Sequence, residues 1–240
     1  MYGATVFTTL RVYDNSLDSR LTHWAAHCDR LQFSLQTFSW RQPDWQRVRQ
    51  GAEIVMENFP VLRITIFPDG REWITGRLLP VNLTENQKNG ILAILAEEKY
   101  ARNLPSHKTG NYLSAWLAKS NAEKLNAQEA ILVDAVGSWL ETSTGNLWGW
   151  LDGVWWTPSE NVGILPGVVR KQLLNWLRND QKVREEPWTV DVVKRFEAIA
   201  YTNSVVEVVP IHTVVQPTGR LIYNSHHISL QQLREFFIAS

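Results

Sequence analysis

One cysteine in 240 residues, Cys28, leaves no pair for an internal disulfide and suits a reducing compartment. Neither sign of charge is in surplus: Lys and Arg together number 24, as do Asp and Glu, and there is no long basic run. Nucleic acid and acidic membrane surfaces are therefore not expected as partners. No apolar run is long enough to cross a bilayer, and Met1 leads directly into a strand-like segment rather than a secretory leader, so a cytoplasmic location is expected. His-Glu-x-x-His and Cys-x-x-Cys are missing and the six histidines are dispersed, so no metal is expected. Also missing are Gly-x-Gly-x-x-Gly after a strand, a Walker-type lysine loop and a Gly-x-Ser-x-Gly elbow.

What is there is the composition of an ordinary globular protein, 44% hydrophobic and 20% charged, long enough for one large core or two modest ones. The twelve tryptophans are scattered through apolar patterns, which points to packing rather than to a ligand platform. Residues 4–13 are β-branched and aromatic and read as a strand ended by Asp14-Asn15-Ser16. Asp18 or Ser19 can cap a following helix whose stripe is Leu21, Trp24, Ala25, Cys28, Leu31 and Leu35, with Arg30 beside its buried edge. Cys28 thus reads as a core residue, not a nucleophile. A second helix is expected from Asp44 or Trp45 to Glu57, with Val48, Ala52, Val55 and Met56 inward, then strands at 61–67 and 72–78 around a Pro68-Asp69-Gly70 turn.

Residues 82–90 have the composition of a linker, and the domain boundary is placed there: a small α+β domain over 1–83 and a larger one over 84–240. Beyond it, 91–97 reads as a strand, and a helix after Lys108 is expected to turn Leu113, Trp116, Leu117 and Leu125 inward. Strands are expected at 130–134, at 145–151 and 154–157 around the Asp152-Gly153 hairpin signal, and at 187–190, 198–201 and 205–209. A helical turn at 191–195 and a last helix with Leu230, Leu233, Phe236 and Phe237 complete the reading.

Two glycines and a proline in 163–167 open an apolar-periodic segment, so this loop exposes the first amides of a helix. Such amides, at the positive end of the helix dipole, can hold a phosphate. Two further contexts stand before it: His107-Lys108-Thr109-Gly110-Asn111-Tyr112 and Glu141-Thr142-Ser143-Thr144-Gly145-Asn146-Leu147.

In that order the three resemble the fold-type IV pyridoxal-phosphate enzymes, the class IV aminotransferase family. The likeness extends to Tyr2-Gly3, to Val6-Phe7-Thr8-Thr9-Leu10-Arg11-Val12, to His27-Cys28-Asp29-Arg30-Leu31 and to Glu197-Ala198-Ile199-Ala200-Tyr201-Thr202-Asn203-Ser204. It implies the α+β, two-domain architecture of that family, with a first domain lacking the strand that usually precedes Tyr-Gly. It also implies pyridoxal 5'-phosphate as cofactor and a homodimer. Lys108 would be the amine that joins the cofactor aldehyde and then moves protons. Glu141 would keep the pyridine nitrogen protonated. Arg30, the amides of Val168 and Val169, and the Ser204 hydroxyl would hold the phosphate. The usual threonine before the loop's arginine is replaced by Val169, which leaves backbone donors alone there.

Within the family, the Phe-Thr-Thr-Leu-Arg-Val segment and Thr-Asn-Ser look most like the aminodeoxychorismate lyases, implying aminodeoxychorismate as the small-molecule substrate. One of Thr8 and Thr9 would face it, and Arg11 would meet a substrate carboxylate. Gly110-Asn111-Tyr112 also has a counterpart in branched-chain enzymes, so an aminotransferase for branched-chain or D-amino acids is the alternative. A non-catalytic scaffold with the same fold is the third.

Overall fold

The computed structural model describes residues 3–238; Met1 and Tyr2, with which the family-like first segment begins, lie outside the described residues. Two compact units form. The first holds the chain up to Val81 together with His107–Tyr112, and the second holds Asn82–Ser106 together with the chain from Leu113 onward. The lysine segment, which the sequence reading assigns to a domain over 84–240, is thus counted with the first unit.

In the first unit, β1 (Val6–Arg11), α1 (Trp24–Thr37), α2 (Trp45–Met56), β2 (Val61–Ile66) and β3 (Glu72–Arg77) form an antiparallel sheet, ordered β1-β2-β3, with two helices. Alternation along β1 sends Val6, Thr8 and Leu10 to one face, where Val6 and Leu10 join Leu31, Leu35, Val48, Ala52, Leu62, Ile64 and Ile66 in one core. Phe7, Thr9 and Arg11 take the other face, Thr9 opposite Arg63 and Thr8 opposite Ile64.

Helix α1 starts later than its apolar stripe suggests. Thr22 accepts from Tyr13 N (3.0 Å) and donates to the Ser16 carbonyl (2.9 Å), so residues 13–22 close into turns before the helix begins. Asp18 and Ser19 are spent there: Asp18 pairs with Arg49 at 2.6 Å and Ser19 donates to Asp14 at 2.8 Å. The buried face of α1 is His27, Leu31, Ser34 and Leu35, whereas Ala25 is exposed and Cys28 half-buried. Burial pushes the Cys28 thiol up to about 12, so it carries no thiolate at neutral pH. Helix α2 begins as expected, with Asp44 accepting from Gln46 N (3.0 Å) and Arg47 N (3.2 Å). Asp44→Ala should lower unfolding free energy by about 1 kcal/mol in urea titrations, since two helix-start amides lose their acceptor.

The second unit contains α3 (Leu83–Asn89), β4 (Ile91–Leu95), α4 (Leu113–Lys124), β5 (Glu129–Val133), β6 (Trp139–Thr142), β7 (Asn146–Leu151) and β8 (Val154–Thr157). After them come α5 (Val168–Leu177), β9 (Val183–Glu185), α6 (Val190–Val193), β10 (Ala198–Asn203), β11 (Glu207–Gln216), β12 (Gly219–Ile222) and α7 (Ser229–Ile238). The sheet order is β6-β5-β4-β11-β10-β7-β8-β9, with β12 paired to β11; β4 runs parallel to β5 and β11, and the hairpin partners are antiparallel.

Residues 83–89 are helical despite their linker-like composition. Leu83 is buried, and Gln87 Nε2 donates to the Val206 carbonyl at 2.9 Å, so tertiary contacts override the local signal. Helix α4 buries Ala115, Ala118 and Ala122, the last two clustered with Ala127, Ala130 and Leu132. Small residues let it approach β5 closely, and the expected inward residues point out: Leu113, Trp116 and Leu125 are each more than half exposed, and Leu117 is exposed as well. Residues 187–190 form no strand; Trp188 makes an isolated bridge to Trp139, and Thr189 caps α6. Tryptophan packing is as expected for Trp139, Trp148, Trp155 and Trp188, each buried; Trp148 and Trp155 meet edge to face, ring centres 6.3 Å apart.

Candidate active site

In the first unit, residues 107–112 lie along β1. Phe7 N donates to the Lys108 carbonyl (2.8 Å) and Gly110 N to the Thr5 carbonyl (2.8 Å). This fixes the Lys108 backbone, and its half-buried side chain sets Nζ 4.9 Å from the Phe7 ring centre and 5.4 Å from that of Tyr112. The preceding His107 stacks on Phe33 (5.4 Å) and hydrogen-bonds Ser34 Oγ through Nδ1 (2.9 Å), a second anchor for the segment.

Arg30, on α1, donates from Nη2 to Thr8 Oγ1 at 2.7 Å. The same oxygen lies 2.6 Å from Nδ1 of His27, and both Thr8 and His27 are fully buried. Thr8 therefore faces α1, with its hydroxyl engaged there, and Thr9 and Arg11 lie on the opposite face, Arg11 4.7 Å over the Tyr13 ring. That opposite face also carries Phe7, beneath the Lys108 amine. Burial is the largest cause holding the His27 imidazole well below its ordinary 6.5; the charges of Arg30, His23 and Lys108 add to it.

His23 and His107 are also lowered, each chiefly by burial. The unfolded chain takes up protons near 6.5 that these rings refuse when folded. Stability is then level above that pH and falls as the pH drops below it. Urea midpoints measured across the acid range should show this fall, and His27→Gln should make it shallower.

In the second unit, Glu141 sits on β6, 3% exposed. Its oxygens accept from Leu165 N (both 3.3 Å) and Asn146 Nδ2 (3.4 Å), and Arg102 Nη1 lies 3.5 Å away. The carboxylate's partners thus include one cation and two N-H donors. Asn146 also donates to the Leu165 carbonyl at 2.9 Å, so one amide ties Glu141 to the 163–167 loop. A side chain at Gly167 would place its Cβ 2.0 Å from Asn146 Oδ1, which accounts for glycine there. The turn after β6 is pinned below: Ser143 and Thr144 hydroxyls each donate at 2.5 Å to buried Glu129.

Gly167 precedes α5 and supplies no side-chain cap to the helix start, where the amides of Val168 and Val169 stand. Arg170, in the first turn, is engaged by the protein itself. Fully buried, it donates to Glu160 (2.9 Å), the Pro158 carbonyl (2.8 Å), Glu185 (2.7 Å) and Thr157 (3.3 Å). It holds α5 against β8 and β9. Ser204 lies half-buried in the turn from β10 to β11, where Asn203 Oδ1 accepts from Val205 N (2.9 Å) and Val206 N (3.0 Å), and Asn203 Nδ2 donates to the Thr144 carbonyl (3.2 Å).

So Lys108, Arg30 and Thr8 are gathered in the first unit, and Glu141 and the loop before Val168 in the second. Sequence reasoning assigned no role to His27, Asn146, Arg102 or Arg170. Of these, His27, Asn146 and Arg170 stood inside segments already singled out; nothing local marks Arg102 as a partner of a carboxylate 39 positions on.

Residues 5–214 match the family model described as amino-transferase class IV. The aminodeoxychorismate lyase of Vibrio harveyi is 23% identical, with the alignment covering 92% of this chain and 86% of that protein. A D-alanine aminotransferase of Staphylococcus epidermidis is 33% identical, over 53% of this chain and 45% of its own. The solved structure of the Escherichia coli branched-chain amino acid aminotransferase matches with a TM-score of 0.83 at 22% identity, covering 99% of this chain and 85% of that one. That likeness shows the fold, an α+β architecture of fold type IV.

Proposed function

Because the chain belongs to the class IV amino-transferase family, we propose that it is a pyridoxal-phosphate-dependent lyase that converts aminodeoxychorismate to 4-aminobenzoate and pyruvate, a step of folate biosynthesis. The observation that carries this reading is the near full-length likeness to the Vibrio harveyi lyase, where the D-alanine aminotransferase aligns over about half of the chain.

The donor sets suit the cofactor. A phosphate dianion calls for a guanidinium, uncapped helix amides and a hydroxyl, which Arg30, Val168, Val169 and Ser204 would supply. A protonated ring nitrogen calls for a carboxylate, which Glu141 would supply, oriented by Arg102, Asn146 and Leu165 N. When bound, the cofactor supplies an electron sink for the carbon that bears the substrate amine. Lys108 Nζ would hold the cofactor covalently and, once displaced, take the proton from that carbon and return one to the departing three-carbon group. Glu141 would hold a proton at the ring nitrogen. Arg11 would meet a substrate carboxylate, with Thr9 beside it on the β1 face that also carries Phe7; Thr8, buried with its hydroxyl held by Arg30 and His27, would not reach the substrate. We also propose a cytoplasmic homodimer; sedimentation should give twice the chain mass.

The second reading, an aminotransferase for branched-chain or D-amino acids, is favoured by Gly110-Asn111-Tyr112 beside the lysine. The two part in one assay. The lyase releases pyruvate from aminodeoxychorismate with no 2-oxo acid added; amino-group transfer to a 2-oxo acid without that release would sink the lyase reading.

A further inference from the structure

Thr8 and His27 are polar groups in an apolar core, and neither is explained by packing. A valine at 8 would fill the same volume beside Ile64 without a hydroxyl to satisfy, and the Nε2 of His27 has no hydrogen-bond partner among the described residues. What the two do share is Arg30. Its Nη2 donates to the Thr8 hydroxyl (2.7 Å), and that hydroxyl lies 2.6 Å from His27 Nδ1. A hydroxyl carries one proton and two lone pairs. With one lone pair receiving the guanidinium, its proton is available to Nδ1; burial keeps the imidazole neutral, and in the tautomer protonated at Nε2 the Nδ1 accepts it. The three side chains then form a directed chain, Arg30 to Thr8 to His27, with its far end closed inside the core.

We propose that Thr8 and His27 are positioning residues that orient the Arg30 guanidinium for a phosphate ester. The proposal deepens the reading above and rests on Arg30 receiving the cofactor phosphate. An arginine on a helix surface samples many rotamers, and ordering it on binding weakens the complex. Here one nitrogen is held by a fully buried oxygen, so the plane of the fork is set before the anion arrives. The neutral state of His27 matters to the same end: an imidazolium would present a donor at Nδ1, turn the hydroxyl proton away and repel Arg30.

Two ligands separate positioning from general support of the fold: pyridoxal 5'-phosphate and pyridoxal, which lacks the phosphate. Both are titrated by absorbance into the full-length protein and its Thr8→Val, Thr8→Ser, His27→Phe and Arg30→Ala variants. Thr8→Val should weaken pyridoxal phosphate about tenfold, the effect of one lost hydrogen bond to a charged group, and leave pyridoxal unchanged. Thr8→Ser should restore the phosphate preference, and His27→Phe should resemble Thr8→Val. Equal weakening of both ligands in Thr8→Val would overturn the proposal, as would an unchanged phosphate preference while Arg30→Ala loses it. Should Arg30→Ala leave that preference intact, the assignment of Arg30 to the phosphate fails and the positioning role fails with it. If Thr8→Val does not fold, Thr8→Ser against Arg30→Ala still decides: a serine variant with no phosphate preference refutes the hydroxyl relay.

Discussion

Lys108→Ala is expected to abolish turnover, by at least about a thousandfold, because it removes the amine proposed to bind the cofactor covalently and to move the proton. The variant should still fold. What ties residues 107–112 to β1 is main chain, the bonds from Phe7 N to the Lys108 carbonyl and from Gly110 N to the Thr5 carbonyl, and alanine keeps them. Pyruvate release from aminodeoxychorismate and the visible absorbance of bound cofactor report the loss, with melting temperature as the control. Lys108→Arg should be as inactive, since it keeps a cation near the Phe7 and Tyr112 rings but has no amine able to deprotonate. Retained absorbance and turnover in either variant would falsify the assignment of Lys108.

Arg170→Ala should cause the largest loss of stability of any single change considered, about 3 kcal/mol in denaturant unfolding. The guanidinium is buried, and its removal strands Glu185 beside Arg178 alone and leaves the Pro158 carbonyl and Thr157 without a donor. The value sits at the lower end for a broken buried pair because both acids reach solvent, Glu160 at 48% and Glu185 at 28% side-chain exposure. Arg170→Lys should recover little of it. An ammonium cannot span four acceptors on two strands and a turn, so charge alone does not replace the planar fork. A loss below about 1 kcal/mol would mean that the strands and α5 pack adequately without the arginine.

How legible these features were depended on range. Strand β1, helix α2 with its Asp44 cap, and the Asp152-Gly153 hairpin were readable because the signal lies within a few residues: alternation, a capping carboxylate, two consecutive positive-φ positions. The lysine, carboxylate and loop contexts were readable as motifs. Helix α4 misled because apolar periodicity does not say which of two stripes is buried; alanines faced β5, and larger residues were left outside. Residues 83–89 misled because their helix depends on Gln87 reaching the chain 119 positions later. Arg102 beside Glu141, and His27 behind Thr8, were illegible for the same reason: each is a polar partnership made only when distant segments meet.

The placement of His107–Tyr112 bears on how the protein can be dissected. The chain passes between the two units at 81/82, again at 106/107 and a third time at 112/113. A cut after Val81 therefore does not release a self-sufficient piece, since the fragment leaves behind the segment that pairs with β1, and with it Lys108. Neither half is a unit that recombination could shuffle intact, and the Lys108 amine would have to be inherited from one stretch of gene while the sheet it rests on came from another.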